Sequence, residues 1–208
     1  MRYLVILLIV FSFFSCSHDP EYYIDPALMP YWNQFNYEAE RLGFQIPDKS
    51  FMLVLMTHEE LKKIYGKSVN GLCYRRKKTV TIYIKEELFK GNLLDYSKRV
   101  EATVFHELGH GIGREHNSLY YDSLYTFTHP TKGYTKEQSK IWPVSLLTTP
   151  NYYKDFIDGS KREYYLRELF GLEEWKEREG VRIINLSSED YFTSVKEDME
   201  SFPEDYQD

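Results

Sequence analysis

The chain has 208 residues, a formal net charge of −6 and two cysteines. This length fits a single domain with its own hydrophobic core, without a disulfide framework. The acidity is concentrated in residues 188–208, which carry eight acidic side chains and one basic, so the rest of the chain is close to neutral. A near-neutral body has no broad basic field for nucleic acid. We therefore predict one folded domain over residues 30–187, followed by an acidic tail.

The N-terminus has the pattern of an export signal. An apolar run over residues 4–14 follows Arg2; it is too short to span a bilayer and has the length of a signal-peptide core. It ends at Ser15-Cys16, which resembles a bacterial lipoprotein signal, where a small residue precedes the cysteine that receives lipid. We expect a signal peptide over residues 1–15, lipidation of Cys16, a tether over residues 16–29 and a location in the cell envelope. An ordinary secretory signal is the alternative.

Helical and strand patterns alternate through the first half of the predicted domain. Four apolar side chains recur at helical spacing and predict a first helix: Trp32, Phe35, Ala39 and Leu42. A short apolar run over residues 51–56 predicts a buried strand, and Thr57 with Glu60 forms a capping box for a second helix. Residues 71–75 and 79–84 predict a β-hairpin.

Residues 106–116 are His-Glu-Leu-Gly-His-Gly-Ile-Gly-Arg-Glu-His. In a helix, which we expect to start near Tyr96 with Asp95 as its N-cap, His106 and His110 lie one turn apart on one face, so both imidazoles can reach one ion. Glu107 is placed to take a proton from water bound there. The opposite side carries an apolar row: Val100, Val104 and Leu108. One face of the helix therefore packs and the other faces a cleft.

Gly113 makes a third histidine available. A helix continued beyond His110 would carry His116 about 9 Å further along its axis, away from the ion. Glycine tolerates positive φ, so Gly113 can end the helix and turn the chain back. Three histidines leave a fourth tetrahedral position open for water, as in a catalytic zinc site.

The pattern His-Glu-x-x-His-x-x-Gly-x-x-His resembles the zinc signature of the metzincin metallopeptidases. The resemblance implies an α+β domain with a small twisted sheet packed on helices, the zinc helix in the middle, and an irregular C-terminal subdomain closed by a helix. It also implies a zinc-dependent endopeptidase that cleaves peptides or proteins. We further expect a monomer that is anchored to the membrane by the lipid on Cys16. His106, His110 and His116 would hold Zn²⁺, and Glu107 would be the general base.

Metzincins also have a turn with a methionine beneath the metal. Ser145-Leu146-Leu147 resembles the family's Ser-x-Met, with Leu147 in the methionine position. Leucine nearly conserves the volume of methionine, so it can support the histidines from below. Tyr152 and Tyr153 are candidates for transition-state stabilisation, although a packing or surface role is the commoner one in a chain with 19 tyrosines.

The rest of the predicted domain surrounds this site. The chain after His116 is predicted to form a long irregular loop, which the resemblance places on the primed side of the cleft. A helix over residues 164–170, ended by Gly171, would close the domain. Thr79–Ile84 is the candidate strand along which an extended substrate could align. Cys73 is predicted to be a buried packing residue rather than a metal ligand.

Three alternatives stay open at this point. A gluzincin-type peptidase would use His106 and His110 but recruit Glu163 or Glu168 from a later helix, leaving His116 free. A lipid-anchored binding or structural protein could keep the zinc without catalysis, because the family methionine is missing. A globular lipoprotein without metal is the third.

Overall fold

The computed structural model describes residues 22–90, 93–128, 135–148, 161–177 and 181–185, and the single residues 156 and 159. Four α-helices lie in these ranges: α1 (Met29–Arg41), α2 (His58–Tyr65), α3 (Leu93–Gly111) and α4 (Arg162–Leu169). Seven strands accompany them: β1 (Tyr23–Ile24), β2 (Ser50–Met56), β3 (Gly71–Arg75), β4 (Thr79–Lys85), β5 (Leu119–Thr128), β6 (Thr135–Pro143) and β7 (Val181–Asn185). The predicted α+β class is confirmed.

Local signals correctly predict where the first helix ends and where the second begins. Trp32, Phe35 and Ala39 of α1 are buried, and Gly43 follows the helix with a φ of +71°. At the start of α2, the Thr57 hydroxyl and the Glu60 carboxylate each accept a hydrogen bond from the other's backbone N–H. Satisfying the first N–H groups in this way fixes where a helix begins. The capping-box prediction is confirmed.

The first sheet has the strand order β1-β2-β4-β3. Strands β1, β2 and β4 are parallel, whereas β3 returns antiparallel to β4. The candidate substrate strand, Thr79–Ile84, is therefore internal and offers no free edge, so its choice as the strand that aligns a substrate is wrong. Alternation of Val80, Ile82 and Ile84 predicts a buried face, but it carries no information about which neighbours flank the strand. The sheet has two edge strands, β1 and β3, and β3 is the one next to β4.

The histidine helix α3 packs beneath this sheet, against β3, β4 and α1. The predicted apolar row is confirmed, because all three of its side chains are at most 1 % exposed: Val100, Val104 and Leu108. The helix begins at Leu93, so Asp95 lies inside it and is not the N-cap. Leu93 and Leu94 are strong helix formers, which is a physical reason for the longer helix.

The chain joins the core before Pro30, within the segment predicted as a tether. Strand β1 pairs with β2, and Leu28 is fully buried in the same apolar cluster as Phe35. Residues 1–21, which include the predicted signal peptide and Cys16, lie outside the described residues, and so does the acidic tail. Within the described ranges no helix is long and apolar enough to cross a membrane.

A second sheet, of order β6-β5-β7, follows the histidine motif. All its pairings are antiparallel, and β5 and β6 pair over nine residues each. The prediction of a long irregular loop after His116 is therefore wrong. Ser and Thr suggested a loop there, but Tyr and Thr also favour strands. The closing helix α4 is confirmed, with Tyr165, Leu166 and Leu169 buried and Gly171 at a φ of +75°.

Candidate metal centre

The three histidines of the motif lie together at the cleft face of α3. The Nε2 atoms of His106 and His110 are 3.2 Å apart, and Nε2 of His116 lies 3.2 Å from the first and 3.0 Å from the second. Nitrogen ligands about 2.0–2.1 Å from a tetrahedral zinc ion are about 3.3 Å from one another, so these spacings fit a single ion. Within the described ranges this is the one His/Cys/Asp/Glu group found with metal-binding geometry.

Hydrogen bonds on the far side of two rings decide their tautomers. Nδ1 of His106 lies 2.9 Å from the carbonyl oxygen of Leu146, and Nδ1 of His110 lies 2.9 Å from that of Arg114. A carbonyl oxygen can only accept, so both Nδ1 atoms carry the proton and both Nε2 atoms present lone pairs. Lone pairs this close repel each other unless a cation lies between them.

The surroundings keep the imidazoles neutral. His106 is 2 % exposed. Burial, together with neighbouring His110, lowers its pKa to about 3. Burial also lowers the pKa values of His110 and His116. Metal ligands must be unprotonated, so these shifts keep the site competent for a cation at neutral pH.

The turn at Gly113 brings His116 to the other two. Gly113 has a φ of +106°, which a residue with a side chain rarely adopts. Its N–H donates to the carbonyl of His110, and the N–H of Arg114 donates to the carbonyl of Gly109. These bonds close the end of α3 and redirect the chain. His116, the most exposed of the three histidines, thus approaches from outside the helix.

Glu107 lies beside the three histidines with its carboxyl group largely out of water. It is 5 % exposed, and burial raises its pKa to about 8. Its side chain covers Gly71 of the edge strand: a Cβ added to Gly71 would lie 2.6 Å from Cγ and 2.7 Å from Oε1 of Glu107. A glycine at that position therefore leaves the space that the glutamate occupies.

The turn over Ser145–Leu147 lies beneath α3. All three residues are buried, and Leu146 supplies the carbonyl that accepts from His106. A Cβ on Gly109, which lies between the two helical histidines, would be 3.0 Å from Cδ2 of Leu147. Leu147 therefore packs directly against the histidine helix.

A cleft of about 550 Å³ opens over the histidines. Its upper wall is the edge strand β3, and its floor is the histidine face of α3. Cys73 lines it and is half-buried rather than fully buried; burial, with the negative charge of Glu107, raises its thiol pKa to about 12. A thiol held protonated is a poor metal ligand. At one end of the cleft, Arg75 pairs with Glu115.

The two glutamates of the gluzincin alternative contact other groups. Glu163 pairs with Arg41 on the surface, with Oε2 2.6 Å from Nη2. Glu168 accepts a hydrogen bond of 2.9 Å from the Ser145 hydroxyl. Neither belongs to the histidine cluster, whose third position His116 fills. Tyr152 and Tyr153 lie outside the described residues.

Comparisons with protein-family models, with curated proteins and with solved structures give no match. The likeness to metzincins therefore depends on residues 106–116 and on the geometry around them.

Gly71 and Arg114 were missed by sequence reasoning, and Glu168 was considered there only as a third metal ligand. A glycine within a strand pattern often marks close approach of another group, so Gly71 carried a usable signal. Arg114 and Glu168 carried none, because their partners are distant in sequence: the Arg114 guanidinium donates to the carbonyl of Leu169.

Proposed function

We propose that the protein is a zinc-dependent endopeptidase of metzincin type. The observation that supports this best is the convergence of three Nε2 atoms within 3.0–3.2 Å of one another, two with their tautomers fixed by backbone carbonyls. Three imidazoles and an open position favour zinc among the divalent ions. The buried carboxyl group of Glu107, next in sequence to a ligand, adds the proton carrier that peptide hydrolysis needs.

In this mechanism His106, His110 and His116 hold the ion, which when bound polarises the scissile carbonyl and makes water a better nucleophile. Glu107 accepts the proton of the attacking water and then delivers it to the amine nitrogen that leaves. A carboxyl group whose pKa lies near neutrality can do both. Burial raises the pKa of Glu107 to about 8, and a cation held by the histidines would lower it toward neutrality, so that the carboxylate can accept the first proton.

The substrate would align along β3, not β4. The N–H of Arg76 donates to Thr79, and the N–H of Lys85 donates to Asn70. Bonded and non-bonded pairs alternate in an antiparallel ladder. Three residues of β3 therefore turn their N–H and C=O groups away from β4: Gly71, Cys73 and Arg75. These backbone groups lie on the cleft edge, where an extended peptide could pair with them.

The decisive experiment measures metal content and cleavage in the same samples. The soluble domain should contain one zinc per chain and cleave members of a broad peptide library. Glu107→Gln should retain the zinc and lose at least about a hundredfold in kcat, as expected when a general base is removed. Glu59→Gln, an exposed carboxylate on α2, is the matched control. A metal-loaded wild type that cleaves no peptide would contradict the proposal and favour the inactive binding protein.

A further inference from the structure

The two carbonyls that fix the tautomers of His106 and His110 belong to different segments. One is Leu146, in the turn beneath α3, and the other is Arg114, just after Gly113. Neither residue lies in a helix or strand, so no regular ladder fixes these carbonyls. The segments do touch, because the N–H of Asn117 donates to the carbonyl of Leu147 at 3.0 Å. The N–H of Arg114 already ties its own segment to the end of α3 through the carbonyl of Gly109, and a further contact holds both segments.

The last turn of α4 contacts both segments. Oε2 of Glu168 accepts a hydrogen bond of 2.9 Å from the Ser145 hydroxyl, and that hydroxyl oxygen accepts one of 3.1 Å from the N–H of Leu147. The two bonds fix the residues on either side of Leu146. The next residue of the helix, Leu169, accepts a 2.8 Å bond at its carbonyl oxygen from Nε of Arg114.

The same turn also packs against the ligand helix. A Cβ on Gly109 would lie 2.7 Å from Cδ1 of Leu169, so these two elements are in close contact between the two helical histidines. On the other side, a Cβ added to Gly171 would overlap Nη2 of Arg114. The guanidinium therefore packs against the end of α4.

We propose that Glu168 and Arg114 are positioning residues of the metal centre. Glu168 acts through Ser145, and Arg114 through its bond to Leu169, so that one helical turn holds both carbonyl acceptors in place. The acceptors in turn keep the unprotonated Nε2 atoms of His106 and His110 directed at the ion. This inference depends on the metal centre of the proposed function but not on peptidase activity.

The test measures zinc affinity by competition with a chromophoric chelator. Outer-shell partners of metal-bound histidines typically contribute about 10–100-fold in affinity. Glu168→Ala and Arg114→Ala should each weaken zinc binding by about tenfold, the lower end of that range, because these side chains hold the acceptors and not the rings. Co²⁺-loaded variants should show altered visible bands. Glu168→Gln should retain most of the affinity, because its amide oxygen can still accept from Ser145. Arg167→Ala is the control, because Glu173 is the one hydrogen-bond partner of its side chain within the described residues.

Unfolding of each variant in excess chelator separates positioning from packing. Unchanged zinc affinity and Co²⁺ bands in Glu168→Ala and Arg114→Ala, with only a lower free energy of unfolding, would overturn the inference. If Glu168→Ala does not fold, Ser145→Ala breaks the same hydrogen bond with a smaller change. Zinc affinity at the wild-type level in Ser145→Ala would then overturn the role of Glu168. Wild type that binds zinc without cleaving peptides contradicts the proposed peptidase and leaves the inference standing; wild type that binds no zinc contradicts both.

Discussion

At the scale of single residues, Gly71 and Glu107 lie so close together that a side chain at position 71 would collide with the proposed general base. Gly71→Ala should displace the Glu107 carboxyl group, because the new Cβ would lie 2.6 Å from its Cγ. A misplacement of about 1 Å can cost about 10²-fold in rate, so we expect kcat to fall at least tenfold with zinc content unchanged. The kcat for peptide cleavage and the zinc content are measured on the same samples. Tyr74→Phe, on the same strand, should retain wild-type kcat, and equal rates in both variants would count against the role of Glu107.

At the scale of structural elements, the next prediction concerns the edge of β3. Cys73→Pro removes an N–H that points away from β4, so the sheet should keep its hydrogen bonds while an aligned peptide loses one. We expect KM to rise about tenfold, in line with the loss of one hydrogen bond of roughly 1–1.5 kcal/mol, and kcat to change less. Cys73→Ala keeps the N–H and serves as the control. A proline variant with wild-type KM for extended peptides would exclude pairing along β3.

Elements also show where prediction from sequence succeeds and where it ends. The capping box of Thr57 and Glu60 and the turn at Gly113 are short-range features, decided by residues that are close in the chain. The histidine cluster is local too, since its three histidines lie within residues 106–116. By contrast, no local signal predicts that β4 lies between β2 and β3. The contact of His106 with Leu146 joins residues 40 apart, and no periodicity encodes it.

For the molecule as a whole, the first question is where it resides in the cell. If Cys16 receives lipid, the chain should incorporate labelled palmitate and sediment with membranes, because two or more acyl chains anchor a protein stably. Cys16→Ser should lose the label and the sedimentation, whereas Cys73→Ser should lose neither. Wild-type protein that is exported and cleaved but remains unlabelled would favour an ordinary secretory signal.

Metal binding should also stabilise the whole molecule. The folded chain holds three Nε2 atoms within 3.0–3.2 Å, whereas the unfolded chain does not hold them together, so an ion that needs all three would bind the folded state preferentially. Free zinc at about 100 times Kd should then add about 2.7 kcal/mol to the free energy of unfolding. Thermal melts over a zinc titration should show a rising Tm for wild type, Glu107→Gln and the control His58→Ala. His116→Ala should lose most of this rise, because two imidazoles remain. A full rise in His116→Ala would indicate that another residue supplies the third ligand, as in the gluzincin alternative.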